Sequence, residues 1–240
     1  MRRTDSRLVM AIVVFQHDAG EGTAVLGATL RDCGHQLRVI RLDRGDSVPT
    51  HLRDVHGVLS MGGPMNVDQH ANHPWLGEEI TFLKTCFDAG TPIVGVCLGA
   101  QLLAVALGGE VQRADAFEFG WHTVRLGFPG TIDPIYAGVR WESTQFHMHG
   151  HSVSTLPPGA TPLAASKMCP IQAFRVGLKT YGVQYHFEWS ESDIAAASTA
   201  VATGTDGLSG QTALDQLGQF YADYRRLGNR LCRNIGTLLY

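Results

Sequence analysis

The chain has almost no excess charge: 19 basic against 22 acidic residues leave a formal net charge of −3, and the basic residues are scattered. A phosphate-backbone footprint and an anionic membrane surface both need a basic patch, so no nucleic-acid partner is expected. Nor does any apolar run approach the ~20 residues of a membrane span. Arg2 and Arg3 ahead of Leu8 to Phe15 superficially resemble the start of a signal peptide. That run ends in Gln16, His17 and Asp18 without a small-residue cleavage pattern, and a buried parallel strand accounts for it as well. Five cysteines in 240 residues do not form a disulfide framework; they fit a reducing cytoplasm in which a thiolate can act as a reagent. Repeats, linkers, low-complexity tracts and zinc motifs are missing too, so the expectation is one α/β domain over residues 1–240, with a core at about 8–190 and a helical tail at about 191–240, and no metal or cofactor.

What is there alternates in period. Leu8 to Phe15, Gln36 to Leu42, Gly57 to Leu59 and Pro92 to Val96 read as buried strands. Thr23 to Cys33 and Trp75 to Ala89 read as helices, stopped by Gly34 and Gly90. Strands alternating with helices predict a parallel sheet covered on both faces, whose ligands sit beyond the carboxyl ends of the strands. From about Glu110 the helices vanish: Gly120 to Leu126, Thr144 to Val153, Ile171 to Val176 and Tyr181 to Phe187 read as an antiparallel extension, with a turn at Pro157, Pro158 and Gly159. After Ser192 two helices are expected around a break at Gly204 to Gly210; Leu217, Phe220, Tyr221, Tyr224 and Leu227 form one stripe that packs on the sheet or binds a partner.

The sharpest local signal is Pro92-Ile93-Val94-Gly95-Val96-Cys97-Leu98-Gly99-Ala100-Gln101, a strand running straight into an apolar helix. Gly95 and Gly99 flank Cys97 at the spacing of a nucleophile elbow, and a thiol at a helix start is favoured as thiolate by the macrodipole. The alternative is a buried structural cysteine. His186 and Glu188 stand two apart in Gln184-Tyr185-His186-Phe187-Glu188. On a strand they share a face, where an imidazole base and an orienting carboxylate would complete a triad; a solvated strand face is the plainer reading.

Together with Met61-Gly62-Gly63-Pro64-Met65, Gly120-Trp121 and Leu156-Pro157, these motifs resemble the class I glutamine amidotransferases, and among them the stand-alone proteins similar to the GMP synthase amidotransferase domain. The resemblance spans Leu8 to about Trp189. It implies a three-layer α/β/α, flavodoxin-like fold with a mostly parallel central sheet and glutamine hydrolysis. It carries the triad to Cys97, His186 and Glu188, and the oxyanion-hole N–H groups to Gly63 and Leu98. Gln101, His149 and Gly150 become substrate contacts, while His151 stands where an aspartate is common.

Such enzymes pass ammonia to a synthetase. No ATP-pyrophosphatase signature or P-loop follows the triad, so a partner synthetase takes up the ammonia or the chain acts alone on glutamine or another γ-glutamyl compound, such as a γ-glutamyl peptide or amine. A non-catalytic binding protein of the same fold is the third alternative. Alternate His147, His149 and His151 can also be read as a metal face, but no acidic residue within the segment completes it. His70 and His73 read as rim or loop residues.

Overall fold

In the computed structural model, which describes residues 10–203 and 207–240, β1 (Ala11–Gln16) sends alternate side chains to opposite sides. Ile12 and Val14 enter one apolar cluster with Leu26 and Leu30 of α1 (Ala24–Asp32) and with Leu231 and Ile235 near the C-terminus. Val13 and Phe15 enter the other, with Leu76, Phe82 and Leu83 of α2 (Trp75–Asp88) and Leu102 and Leu103 of α3 (Leu98–Ala106). Helices thus cover both faces of the sheet, the three-layer arrangement the sequence predicts.

Nine strands lie in the order β2-β1-β3-β4-β9-β8-β7-β5-β6. β2 (Leu37–Arg41), β1, β3 (Val55–Ser60), β4 (Ile93–Val96) and β9 (Thr180–Val183) are parallel. β8 (Ala173–Val176), β7 (Ala160–Ser166), β5 (Glu110–Leu126) and β6 (Glu142–Thr155) continue antiparallel. Order reverses between β1 and β3, which opens a crevice at their carboxyl ends.

Several boundaries differ from the expectation. Leu8 and Val9 lie outside the described residues. β7 has no counterpart in the sequence reading, because its Ala-Thr-Pro-Leu-Ala-Ala-Ser sequence carries no β-branched run. β9 ends at Val183, so Gln184 to Trp189 is a loop rather than strand, tied to the sheet only by a bridge between Phe146 and His186.

A four-residue turn of helix, α4 (Phe128–Thr131), follows β5. Among the described residues the tail holds three α-helices where two were expected, α5 (Glu191–Ala202), α6 (Gly207–Asp215) and α7 (Leu217–Asn234), the last followed by a π-helical turn over Ile235–Leu239. Gly204 to Asp206 of the expected break lie outside the described residues, and helix resumes at Gly207. α7 buries Tyr224 and Leu227, so its stripe packs inward. No helix among the described residues is long and apolar enough to cross a membrane.

Candidate active site

Cys97 occupies the junction between β4 and α3 with φ 52° and ψ −110°, a left-handed conformation that a non-glycine residue adopts only at a cost of about 1–3 kcal/mol. Its surroundings hold it there. The Cys97 N–H donates to the Val183 carbonyl at 2.9 Å, and the Gly99 N–H to that of Met61 at 3.1 Å. A Cβ on Gly95 would lie 2.5 Å from the Gly99 carbonyl oxygen, and one on Gly99 would collide with the backbone of Ser60. The two glycines therefore let strand and helix pack closely enough to force the turn. The Cys97 sulfur faces the Met148 carbonyl oxygen at 3.8 Å.

His186 and Glu188 meet as expected, by a different route. Beyond the end of β9 the chain keeps alternating, with Tyr185 and Phe187 buried in the α1/α7 cluster and His186 and Glu188 turned the other way. His186 Nδ1 lies 2.8 Å from Glu188 Oε1, and both residues are fully buried. The Trp189 ring stacks on the imidazole at 3.9 Å. Nε2 has no hydrogen-bond partner among the described residues and faces the Cys97 thiol. Burial opposes an imidazolium here, but the Glu188 charge, the neighbouring Cys97 sulfur and the Glu188 hydrogen bond outweigh it, so the His186 pKa stands well above the usual 6.5. A held imidazolium beside a sulfur is the counter-charge that a thiolate needs.

The sequence gives no warning of what fixes this loop. Tyr224 of α7 donates its hydroxyl to the His186 carbonyl at 3.0 Å, and Arg225 donates to the Trp189 carbonyl at 2.8 Å and the Phe187 carbonyl at 3.1 Å. The C-terminal helix is thus a clamp on the loop that carries His186 and Glu188.

Gly63 and Leu98 come together across the pocket. A Cβ on Gly63 would sit 2.9 Å from Leu98 Cδ2, and Leu98, as the first residue of α3, has an N–H with no intrahelical acceptor. A second buried pair sets the Gly62–Gly63 loop: His17 bonds the Gly62 carbonyl at 3.1 Å and Glu79 at 2.8 Å, and the Ser60 hydroxyl donates to Glu79 at 2.6 Å. Burial lowers the His17 pKa, but Glu79 and the backbone acceptors raise it further, so this imidazolium donates from both nitrogens. His17 at the end of β1 is another residue missed from sequence; its position after a parallel strand was the available signal.

The pocket between these elements has a volume of about 220 Å³ and is lined by Cys97, Gln101, Glu21, Asn66 and the Met148–His151 backbone stretch, among others. Gln101 donates to the His151 carbonyl at 2.8 Å and to Gln184 Oε1 at 3.1 Å, which leaves its own Oε1 free. The His149 ring turns from the pocket to Glu118, with 3.0 Å between Nε2 and the carboxylate. His147 is buried beside it, whereas His151 is only half-buried at the rim. His70 is exposed and His73 packs near Trp75 at 5.4 Å; neither lines the pocket.

Glu118 supplies the acidic residue that the histidine segment lacks, because the β5–β6 pairing sets it opposite His149. Glu118, His147 and His149 place donor atoms within 4.8 Å of one another, so this trio could in principle share an ion. Protein groups fill that space instead. The Gln172 amide nitrogen lies 2.8 Å from Glu118 and 3.2 Å from His147 Nδ1, and the Ser166 hydroxyl donates to Glu118 at 2.7 Å.

Residues 18–197 match the model of the family described as "Glutamine amidotransferase class-I". This chain belongs to the class I glutamine amidotransferases. Among curated amidotransferase relatives, it is 35% identical over 189 residues to the glutamine-hydrolyzing GMP synthase of Leifsonia xyli, covering 75% of this chain and 36% of that protein. It is 32% identical over 174 residues to a glutamine-hydrolyzing GMP synthase subunit of Archaeoglobus fulgidus, covering 72% of this chain and 86% of that one. The chain thus spans about a third of the longer synthases it matches. A crystal structure of a glutamine amidotransferase from Methylobacillus flagellatus superposes with a TM-score of 0.87 at 26% identity, over 97% of this chain and 96% of that one. In the class I amidotransferase fold so defined, His17, Gly63, Cys97 and His186 follow the carboxyl ends of the parallel strands β1, β3, β4 and β9, and Glu118, His147 and His149 lie on the β5–β6 pair.

Proposed function

We propose that this class I amidotransferase cleaves a γ-glutamyl amide, glutamine in the first instance, through a thioester on Cys97. The observation that carries the reading is His186, held at 2.8 Å by Glu188 on one side and facing the Cys97 sulfur on the other. The thiolate attacks the side-chain carbonyl and forms the S–C bond. The resulting oxyanion is stabilised in this reading by the Gly63 and Leu98 N–H groups. His186 delivers its proton to the nitrogen, the C–N bond breaks, and ammonia leaves. Water then attacks the thioester, gives its proton to His186, and releases glutamate as the thiolate reforms.

The ammonia acceptor is a synthetase in this proposal, in keeping with relatives named as glutamine-hydrolyzing GMP synthases. Gln101, His149 and Gly150 hold the amino-acid end of the substrate, the last two through backbone. The test is release of ammonia and glutamate from glutamine by the purified chain, alone and with candidate synthetases. Turnover confined to other γ-glutamyl compounds would assign a γ-glutamyl hydrolase instead. No turnover of any γ-glutamyl compound, with an unreactive Cys97, would leave a binding protein of the same fold.

A further inference from the structure

One half-buried carboxylate in the pocket has no part in the steps above. Glu21 lies in the loop after β1 and lines the same cavity as Cys97. Its side chain has no hydrogen bond or ion pair among the described residues. Position is what makes it informative. A Cβ built on Gly62 would collide with Glu21 Oε2 and come within 3.1 Å of His186 Cε1, so the carboxylate and the imidazole edge flank one point. The proposed amino-acid contacts Gln101, His149 and Gly150 belong to α3 and β6, whereas Glu21 comes from the loop after β1 and flanks the His186 edge. Glu21 therefore stands at the end where His186 hands its proton to the departing nitrogen.

Desolvation raises the Glu21 pKa above the usual range, the charges of His186 and His17 work against that shift, and those of Glu188 and Asp18 add to it. A pocket-lining carboxylate with no hydrogen bond or ion pair among the described residues is open to a cation bound in the pocket.

We propose that Glu21 forms the leaving-group subsite and selects leaving amines that carry a positive charge elsewhere in the group over amines that carry a carboxylate. Short diamines fit this subsite; the amino-acid and peptide leaving groups of γ-glutamyl peptides do not, because their carboxylate would face Glu21. The inference rests on the thioester reading given above and narrows it, since it separates γ-glutamyl amides and cationic amines from γ-glutamyl peptides.

Three near-isosteric substrates test it: the γ-glutamyl amides of ethylenediamine, propylamine and glycine, each assayed for glutamate release. The wild-type chain should prefer the ethylenediamine to the glycine compound by about tenfold or more in kcat/KM. In Glu21→Gln that ratio should collapse toward one, with both compounds approaching the propylamine compound, while Glu21→Asp should keep most of the preference. An unchanged ratio in Glu21→Gln, with a wild-type melting temperature, would overturn the proposal and leave the thioester mechanism standing. If none of the three substrates nor glutamine is turned over, the mechanism itself fails.

Discussion

Two buried histidine–carboxylate groups lie almost back to back in this molecule, and they hold their protons in opposite ways. The His186 N–H bonds the carbonyl of Phe146, the residue before His147, so the groups share a strand boundary. At His186, burial opposes charge, yet Glu188 offers a carboxylate at 2.8 Å and the pKa rises. At His147, the same burial wins and drives the imidazole down to about 3, because Glu118 stands 3.6 Å away and the neighbouring imidazoles of His149, His122 and His186 oppose a further charge. Glu118 meanwhile divides its acceptor capacity among His149, Ser166 and Gln172 and is held at about 2 despite burial. Burial is common to both, so it does not make an imidazole catalytic. In the proposed mechanism, what suits an imidazole to proton transfer is an undivided carboxylate on one ring nitrogen and an open second nitrogen at a pocket.

The strongest way to break this comparison is at the sulfur. Cys97→Ala should lower turnover by about 10⁵-fold or more, since a missing nucleophile removes the covalent route. The fold should lose only about 1 kcal/mol, read as a small shift in melting temperature. Iodoacetamide should label Cys97 ahead of exposed Cys33, whereas burial raises Cys86, Cys169 and Cys232 to about 12, 11 and 12. Equal labelling of Cys33 and Cys97 would remove the thiolate from the mechanism.

Glu188→Gln comes next, with a loss of about 10²–10⁴-fold in kcat/KM. Its direction in pH matters more than its size. With a raised pKa, His186 stays protonated as pH climbs, and activity that needs its proton falls only as pH passes that raised value. Taking away the Glu188 charge lowers the pKa, so the alkaline limb of the pH profile should move to lower pH. An unmoved limb would mean that His186 is not the group being read.

How much of this was legible beforehand follows from which interactions are local. Cys97, Gly95 and Gly99 declare themselves because a strand, a turn and a helix start occupy one short segment. For His186 and Glu188 the sequence expects a shared strand face; the structure brings the two together beyond the strand, because side-chain alternation outlasts the hydrogen-bonded ladder of β9 after Val183. Glu118 was missed because its partners lie across an antiparallel pair and 29 and 31 residues along the chain, and irregular pairing between Arg113 and Glu118 hides the register. Tyr224 and Arg225 looked like one face of an amphipathic helix; nothing local marks a backbone carbonyl 36 residues upstream as their partner.

That clamp gives the third test. Arg225 touches no reacting atom, so Arg225→Ala should act through the Phe187 and Trp189 carbonyls that it releases. About a tenfold fall in kcat with KM nearly unchanged is expected, because the loop would hold His186 less well while the substrate end stays intact. Arg225→Lys should recover only part of it, since a single ammonium cannot span two carbonyls as the guanidinium fork does. A change in KM alone would show that α7 shapes the pocket rather than the triad loop.

The smallest catalytic effect belongs to the closed cluster. Glu118→Gln should reduce kcat/KM only a few-fold, because Glu118 holds the His149 ring behind the pocket wall and not a reacting atom. Its mark is on stability. The Glu118 pKa lies at about 2 instead of 4.5 and the residue is 1% exposed, which at about 1.4 kcal/mol per pH unit amounts to ~3 kcal/mol. A depressed carboxylate stabilises the fold above pH 4.5 and loses that contribution as pH falls from 4.5 toward 2. The variant should therefore unfold more readily than wild type at pH 7, and the gap measured in urea melts should close on acidification through that window. A gap independent of pH would trace the damage to packing. A loss of activity as deep as that of Glu188→Gln would mean that both histidine clusters serve the reaction, and the distinction between divided and undivided carboxylates would fall.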